Sequence, residues 1–284
     1  HCPHCQSANT RKLSSETELK YPRYYCRDCC RKYNERTGTA FNFLEYPNDL
    51  VMLVVLWRLR YALSLRDVAE LCLLRCVTLT HETVRDWEQR FAPYLTSQLK
   101  KRRRGQCSPR WHVDETYIKV SGTWVYYYRA IDRDGNLVDA MMSKTRSKKA
   151  AIRFFKQARG TTGVKPTCVT TDKLASYPKA IRRTCGKKTT HRTSKYLNNR
   201  IEQDHRGIKR RYGPTLGFKS FDCAGVSCTA IDETRQLFRK RTTMKESISL
   251  KQGRAHFQQS VILFEQLFMG CLPADAQRRH KAAA

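Results

Sequence analysis

Residues 111–120 read WHVDETYIKV, and residues 123–132 read TWVYYYRAID. Both stretches are rich in the β-branched and aromatic residues that favour strands, and the Ser121-Gly122 pair between them is typical of a tight turn. The Asp134-Gly135 turn then leads into a third apolar stretch, NLVDAMM. Three strands joined by two tight turns predict an antiparallel meander.

The chain after this meander alternates between helical and strand-like patterns. The predicted elements are a helix over residues 148–158, a buried strand over 166–171, a helix over 174–183 that contains Pro178, a strand over 187–194 and a basic helix over 199–212. The order βββ-α-β-α-β-α is that of a ribonuclease-H-like domain, in which helices flank a mixed five-stranded sheet. We therefore predict an α/β catalytic domain of this fold over residues 106–243.

Three acidic residues stand out from the surrounding pattern. Asp114 lies inside an apolar strand, where an ionised carboxylate is unfavourable unless a cation meets it. Asp172 follows the strand PTCVTT at the sheet edge, and Glu202 lies near the start of the basic helix. Two Mg²⁺ or Mn²⁺ ions held by such carboxylates would stabilise the attacking and leaving oxygens of phosphoryl transfer. We predict that these three residues are catalytic, although 25 acidic residues also offer many chance triplets.

Backbone periodicity separates this triad from the acidic residues next to it. Glu115 points to the opposite face of its strand from Asp114, and Asp204 lies about 200° round the helix from Glu202. Basic side chains near the triad are expected to bind DNA phosphates: Lys173, His205, Arg206 and Lys209.

Two C-x-x-C pairs lie in HCPHC (residues 1–5) and YCRDC (residues 25–29). Each pair places two thiolates on one turn, and two pairs complete a tetrahedral zinc site. The predicted ligands of one structural Zn²⁺ are Cys2, Cys5, Cys26 and Cys29. Cys29 is preferred over Cys30 because it keeps the C-x-x-C spacing. Residues 1–45 are therefore expected to form a zinc ribbon that binds DNA or another protein, and chance placement of the cysteines is the alternative.

Residues 46–105 have helical periodicity and predict a DNA-binding region with a basic linker. Ser64 is suited to cap one short helix, and Thr80 is suited to cap a second that begins HETVRDW. This pattern is typical of a helix-turn-helix, or of an ordinary helical hairpin that packs domains together. The side chains expected in the major groove are His81, Thr83, Arg85 and Arg90. The basic run over residues 100–105 predicts a hinge that contacts the DNA backbone.

The composition favours a nucleic-acid partner. The 284 residues include 55 Lys+Arg against 25 Asp+Glu, a net charge of +30, which is unfavourable in a compact protein unless a polyanion accompanies it. A ribosomal-type RNA binder or a merely soluble surface is the alternative. The longest apolar run, residues 50–57, is too short to span a bilayer. With no signal peptide and an odd number of cysteines, 13, we expect a soluble, cytosolic protein.

Several long motifs resemble the DDE transposases of bacterial insertion sequences, most of all their sixth family. In chain order the motifs are WHVDETYIKV with WVYYYRAIDRDGN, TDKLASYPKAI, KYLNNRIEQDHRGIKRR and LGFKSF. The resemblance implies a ribonuclease-H fold, Mg²⁺ dependence, and Asp114, Asp172 and Glu202 as the catalytic acids. It also implies that the substrate is the terminal inverted repeats of an insertion sequence and that transposition is replicative, with cointegrate formation.

We therefore expect a DNA transposase that cuts double-stranded DNA at terminal inverted repeats and joins the freed ends to target DNA. Two ends must be held together, so we expect a homodimer or larger assembly in the bacterial cytoplasm, associated with the nucleoid and not with a membrane. The alternatives are a catalytically inactive DNA-binding regulator or decayed copy, and a ribonuclease-H-type nuclease. The basic tail over residues 244–284 carries no recognisable motif.

Overall fold

The computed structural model describes residues 1–172, 174–193, 198–215, 217–239 and 248–273. Contacts divide the chain into two units, one formed by residues 1–55 with the part from Val261 onward and the other by residues 56–260. In the described ranges, no helix is long and apolar enough to cross a membrane.

The first unit contains a small antiparallel sheet and an aromatic core. Its strands are β1 (Thr10–Glu16), β2 (Pro22–Cys26) and β3 (Lys32–Asn34). Buried Phe41 contacts Phe268 edge-on, with 5.4 Å between ring centroids, and Phe264 stacks on Phe268. These last two rings belong to the helix Leu250–Met269 (α8). Part of the expected tail is therefore a helix whose end supplies the core of this unit.

Three helices follow the first sheet in the chain: α1 (Asn48–Arg60), α2 (Leu65–Leu73) and α3 (His81–Arg102). Ser64 caps α2 in a capping box with Asp67, and the Thr80 hydroxyl accepts a bond of 3.2 Å from the Thr83 N–H at the start of α3. Both predicted caps are confirmed, because each side chain accepts from an N–H that the helix leaves unpaired.

The basic run over residues 100–105 differs from the predicted hinge, because its first three residues form the end of α3 and Arg103 is the C-cap of that helix. The helix continues because Leu95 and Leu99 are buried along one face. Lys100 Nζ lies 2.8 Å from Asp139 Oδ1. Arg103 donates to both carboxylate oxygens of Glu233, at 2.9 and 2.7 Å. The prediction of a hinge was wrong for this segment, because the helix and two buried carboxylates hold it, whereas its contact with the DNA backbone stays a prediction, since Lys101, Arg102 and Arg104 are exposed.

The larger unit is built on a mixed five-stranded sheet in the order β6-β5-β4-β7-β8. The strands are β4 (Arg110–Val120), β5 (Thr123–Asp132), β6 (Leu137–Ser143), β7 (Cys168–Thr171) and β8 (Thr190–Thr193). The first three form the predicted antiparallel meander, and β7 and β8 run parallel to β4. Ser121 and Gly122 both have positive φ, +46° and +78°, as a two-residue hairpin turn requires.

Helices cover both faces of this sheet. They are α4 (Lys148–Thr162), α5 (Ser176–Cys185), α6 (Asn199–Tyr212) and α7 (Phe221–Leu237). Phe154 of α4 and Tyr177 of α5 are buried against Trp111 and Val113 of β4, whereas α6 and α7 contact β4 and β6 from the other face. Pro178 lies in the first turn of α5, where it interrupts no helical hydrogen bond. The element order confirms the predicted ribonuclease-H-like fold.

Candidate active site and metal centres

The four predicted zinc ligands form one cluster. The sulfur atoms of Cys2, Cys5, Cys26 and Cys29 all lie within 4.8 Å of one another. Cys2 Sγ is 3.6 Å from Cys29 Sγ, and Cys5 Sγ is 3.5 Å from Cys26 Sγ. These separations are close to the edge of about 3.8 Å of a tetrahedron with Zn–S bonds of about 2.3 Å. Cys30 lies outside the cluster, where its exposed thiol faces the carbonyl of Arg27. The donor set fits a structural zinc ion.

Strand register brings the first two acidic residues together. β4 and β7 are parallel, with His112 opposite Thr170. The pairing ends there, and Asp114 and Asp172 each lie two residues further along the chain, close enough that the charge of Asp172 helps to raise the pKa of Asp114. Asp172 lies just beyond the end of β7, where its Oδ1 accepts a bond of 3.1 Å from the N–H of Leu174. The sheet therefore brings these two carboxylates into one region, and their catalytic role stays a prediction.

The electrostatics of Asp114 favour a bound cation. Burial, followed by the negative charges of Glu115, Asp172 and Glu202, raises the pKa of Asp114 to about 7. The charged form is thus unfavourable here without additional positive charge. In the described part of the chain, however, only the cysteine cluster brings three or more metal ligands within 4.8 Å of one another. The carboxylates share one region but their oxygens do not converge as closely.

Glu202 lies on the exposed face of α6. It lines a surface groove with Asn199, Gln203, His205, Arg206 and Lys209. The side chains of Arg206 and Lys209 are exposed beside it, as expected for residues that bind phosphates. Lys173, the fourth basic residue predicted to contact DNA, lies outside the described residues.

His205 differs from its predicted role. The residue is only 6 % exposed, and its Nδ1 lies 3.8 Å from Asp114 Oδ2. Burial, and then the positive charge of Arg129, lowers the pKa of His205 to about 3, so the imidazole is neutral near pH 7. The structure places His205 inside the carboxylate region, whereas Arg206 and Lys209 lie on the surface.

The two excluded acidic residues do point away from the triad, but both are buried and paired. Glu115 accepts hydrogen bonds from Tyr177 Oη and Arg146 Nε. Arg146 Nη2 also lies 3.1 Å from Asp172 Oδ2. Sequence reasoning missed Arg146, because its position in a charged loop gives no sign of a buried partner.

Asp204 belongs to a second buried network behind α6. Its Oδ2 accepts bonds of 2.8 Å from Arg129 and 2.9 Å from Arg235. Burial alone would raise the pKa of Asp204, but the guanidinium groups of Arg235 and Arg129 outweigh it and hold the pKa well below its usual range. Arg129 also donates to Asp232, at 2.8 Å from both Nε and Nη2.

The predicted recognition helix, α3, has a partly covered N-terminus. His81 and Arg85 both contact Glu82, and all three line a groove with Phe218 and Lys219. The Thr83 hydroxyl lies 3.1 Å from that of Thr80, within the helix cap. Further along the helix, the side chain of Arg90 is exposed. The four residues predicted to enter the major groove thus lie on one helix, but only Arg90 is exposed, and the other three contact neighbours at the start of the helix.

Comparison with known proteins identifies the family. A family model described as a DDE domain matches residues 108–241. The transposase for insertion sequence element IS257 in transposon Tn4003 of Staphylococcus aureus is 42% identical over 204 residues, which are 70% of this chain and 89% of that protein. The chain belongs to the DDE transposases of the sixth insertion-sequence family. The transposase for insertion sequence-like element IS431mec of S. aureus strain Mu50 is 41% identical to this transposase over 204 residues, with the same coverage.

Solved integrase structures are more distant from this transposase. The HTLV-2 integrase catalytic core domain in complex with magnesium, in its trimeric form, has 17% sequence identity and a TM-score of 0.36. The match covers 50% of the transposase and 93% of that chain. The simian T-cell lymphotropic virus intasome has 17% identity and a TM-score of 0.35, over 44% of the transposase and 49% of that chain. The fold assignment therefore rests on the strand order of the transposase itself.

A DDE domain implies the use of divalent metal ions, and the site residues of the transposase fit this requirement. Asp114, Asp172 and Glu202 offer hard oxygen ligands of the kind that Mg²⁺ prefers. The pKa of Asp114, raised to about 7 by burial and neighbouring negative charges, means that a bound cation would favour its ionised form.

Proposed function

We propose that this transposase cuts DNA at the terminal inverted repeats of its insertion sequence and joins the freed ends to target DNA. The surroundings of Asp114 carry the proposal. Its carboxyl group is largely buried, lies near Asp172 and Glu202, and has only a neutral imidazole within ion-pair distance among the described residues. A structural carboxylate would be paired in the way that Asp204 is.

In this proposal each part of the site has a separate task. Asp114, Asp172 and Glu202 hold two divalent ions, Mg²⁺ or Mn²⁺, which when bound would activate water and stabilise the leaving oxygen of the scissile phosphate. Arg206 and Lys209, exposed in the groove beside Glu202, bind and orient the DNA phosphates. His205 fixes the position of the Asp114 carboxyl group from the α6 side.

The front end of the chain is proposed to recognise the DNA ends. The ribbon over residues 1–45 and the helices α2 and α3 would bind the terminal repeats. Arg90 would contact the DNA directly. His81 and Arg85 would leave Glu82 and bind DNA groups in its place. Relatives named as transposases support a DNA substrate. Because two ends must be joined, we further propose a homodimer or larger assembly that works on the nucleoid in the bacterial cytoplasm.

A strand-transfer assay on the ends of the element tests the catalytic proposal. Asp114→Asn, Asp172→Asn and Glu202→Gln should each lower cutting and joining roughly 10³-fold or more while DNA affinity is retained, because residues that act as a unit fail together. Asp134→Asn is the matched control: this residue is exposed in the β5–β6 turn, and Asn-Gly suits such a turn as well as Asp-Gly. Cutting without joining would indicate a nuclease, and binding without cutting would indicate a regulator.

A second experiment tests zinc binding by the ribbon. Cys29→Ser should lose one zinc ion per chain and unfold the region around β1 to β3, because such a small sheet depends on the metal for its stability. Cys30→Ser should retain the zinc, since this thiol lies outside the cluster. Elemental analysis and limited proteolysis measure both effects. Equal zinc contents in the two variants would contradict the assignment of Cys29.

A further inference from the structure

The tip of the β4–β5 hairpin extends beyond the other strands, at the sheet edge where Asp172 emerges. β7 stops at Thr171, and its pairing with β4 reaches only to His112, whereas β4 continues to Val120. On the other side, β6 pairs with β5 only as far as Tyr126. Residues 117–125 therefore form a two-stranded projection beside the carboxylates.

Large aromatic side chains are exposed on one face of this projection. Trp124 is 58 % exposed and Tyr117 is 44 % exposed. Tyr117 lies opposite Tyr126, with their rings 5.3 Å apart, and exposed Lys119 lies opposite Trp124. These four residues, Tyr117, Lys119, Trp124 and Tyr126, are here called the hairpin platform. Exposed aromatic rings gathered on one surface are typical of a binding site.

The hairpin platform is rigidly supported. Tyr126 packs against the core beneath α4. At the tip, the N–H of Ser121 donates to the carbonyl of Phe218 at 2.6 Å, and the N–H of Phe218 donates to the carbonyl of Lys119 at 3.1 Å. A third chain segment thus fastens the hairpin. These bonds fix the backbone that carries the rings, and the rings of Tyr117 and Tyr126 pack on each other.

The platform is continuous with the carboxylate region, although Tyr117 and Asp114 point to opposite faces of β4. Beyond His112 the edge of β4 is not paired with β7, and single contacts lie along it instead: the Asn198 side chain donates to the carbonyl of Val113, and the Tyr212 hydroxyl donates to the carbonyl of Tyr117. Arg146 spans this edge, since it contacts Glu115 on the face of Tyr117 and also contacts Asp172. At about 3.3 Å per residue, Tyr117 is about 10 Å along the strand from Asp114, which is within a few nucleotides of a phosphate at the carboxylates.

Unpaired DNA bases fit this surface best. Aromatic side chains beside basic groups bind single-stranded nucleic acid, because each base has a flat face that stacks on a ring while cations attract the backbone. The net charge of +30 and exposed Lys119 and Lys219 supply the attraction. We propose that the hairpin platform stacks unpaired bases of the DNA strand next to the scissile phosphate. This inference rests on the proposed function and adds a strand-separating contact to it.

Binding of tailed and blunt DNA tests the platform. The probes are a fluorescent duplex with a short unpaired 3′ tail and the same duplex without the tail, bound by the full chain without added Mg²⁺ so that no strand is cut. The parent should bind the tailed duplex about tenfold more tightly, as expected for stacking of one or two bases. Trp124→Ala should lose this preference, and Trp124→Phe should keep most of it. Tyr61→Ala, which removes another ring that is 41 % exposed, is the matched control and should keep it fully.

Several outcomes would overturn the platform. Equal affinity of the parent for the two probes would do so, as would an equal loss on both probes in Trp124→Ala, which would indicate contact with duplex alone. A change of oligomeric state in Trp124→Ala with the tail preference intact would assign the rings to a second copy of the chain. In these cases the transposase function would stand. A parent that bound neither probe would overturn the platform and the proposed function together.

Discussion

Two groups of acidic side chains lie on opposite sides of α6, and they differ in the cations that meet them. Behind the helix, Asp204 and Asp232 share Arg129, and Asp204 also pairs with Arg235. In front of it, Asp114 lies near Asp172 and Glu202, and of the residues that the structure describes only His205, with its neutral ring, comes within ion-pair distance. Among the described residues, the first group is balanced by buried guanidinium groups, whereas the second has a single ion pair, from Arg146 to Asp172, and is here called the unbalanced group.

The opposite pKa shifts of the two groups express this difference. Burial raises the pKa of Asp114 to about 7, and the neighbouring carboxylates reinforce the shift. Burial acts in the same direction on Asp204, but two guanidinium groups reverse it and lower the pKa. Asp204 follows Glu202 by two residues on α6, so its ion pairs fix the rotation that presents Glu202 to the groove. The ion-paired network around Asp204 therefore positions Glu202, a member of the unbalanced group.

The largest effect on stability is expected when the balanced group is broken. Asp232→Asn keeps the shape of the side chain but leaves buried Arg129 with less negative charge, and such changes cost about 3–5 kcal/mol. Urea unfolding should show this loss, whereas exposed Asp134→Asn should change the unfolding free energy by less than about 0.5 kcal/mol. A loss below about 1 kcal/mol for Asp232→Asn would show that the network does not depend on this charge.

The same chemical change in the unbalanced group should have the opposite sign. Asp114→Asn should stabilise the metal-free protein at pH 8 by about 1–3 kcal/mol, because it removes a charge that burial and like charges disfavour. Since the folded pKa of about 7 is above the ordinary value of 3.8, the penalty grows as the pH rises between these values and is complete above the folded pKa. The gain should therefore shrink towards pH 5.

Added metal ions provide a second test of the role of Asp114. Mn²⁺ should raise the melting temperature of the parent but not that of Asp114→Asn, because a ligand that binds only the folded state stabilises it. Destabilisation by Asp114→Asn at pH 8, in the absence of metal, would instead mean that Asp114 is a structural partner.

Sequence reasoning succeeded where the signal was local. Strand alternation separated Asp114 from Glu115, helical phase separated Glu202 from Asp204, and the C-x-x-C spacing selected the four clustered cysteines. It failed where the deciding partner was distant in the chain. The basic run at the end of α3 resembled a solvated hinge because Glu233, the partner of Arg103, lies 130 residues away. The spacing of Ile201, His205 and Ile208 places His205 on the packing face of α6, but no local pattern shows that this face meets Asp114.

Glu115 has features of both groups, because a guanidinium pairs with it but also contacts Asp172. Its replacement should give the smallest change in stability. The sequence predicted only that it points away from Asp114, and the structure shows a buried carboxylate bound by Arg146 and Tyr177. Glu115→Gln keeps an acceptor for Tyr177 and loses the charge that holds Arg146. Because Arg146 is 30 % exposed and can turn to solvent, we expect a loss of only about 1 kcal/mol in unfolding free energy.

The activity of Glu115→Gln should be lowered, not abolished. Arg146 also contacts Asp172, so its release should alter the position of that carboxylate and raise the Mn²⁺ concentration needed for half-maximal cutting by a few-fold. Arg146→Ala should have a similar effect, because it removes the same link from the other end. Among these residues, only a metal ligand is expected to be indispensable for cutting. A complete loss of cutting in Glu115→Gln, with folding intact, would therefore indicate that Glu115 binds the metal and belongs to the unbalanced group.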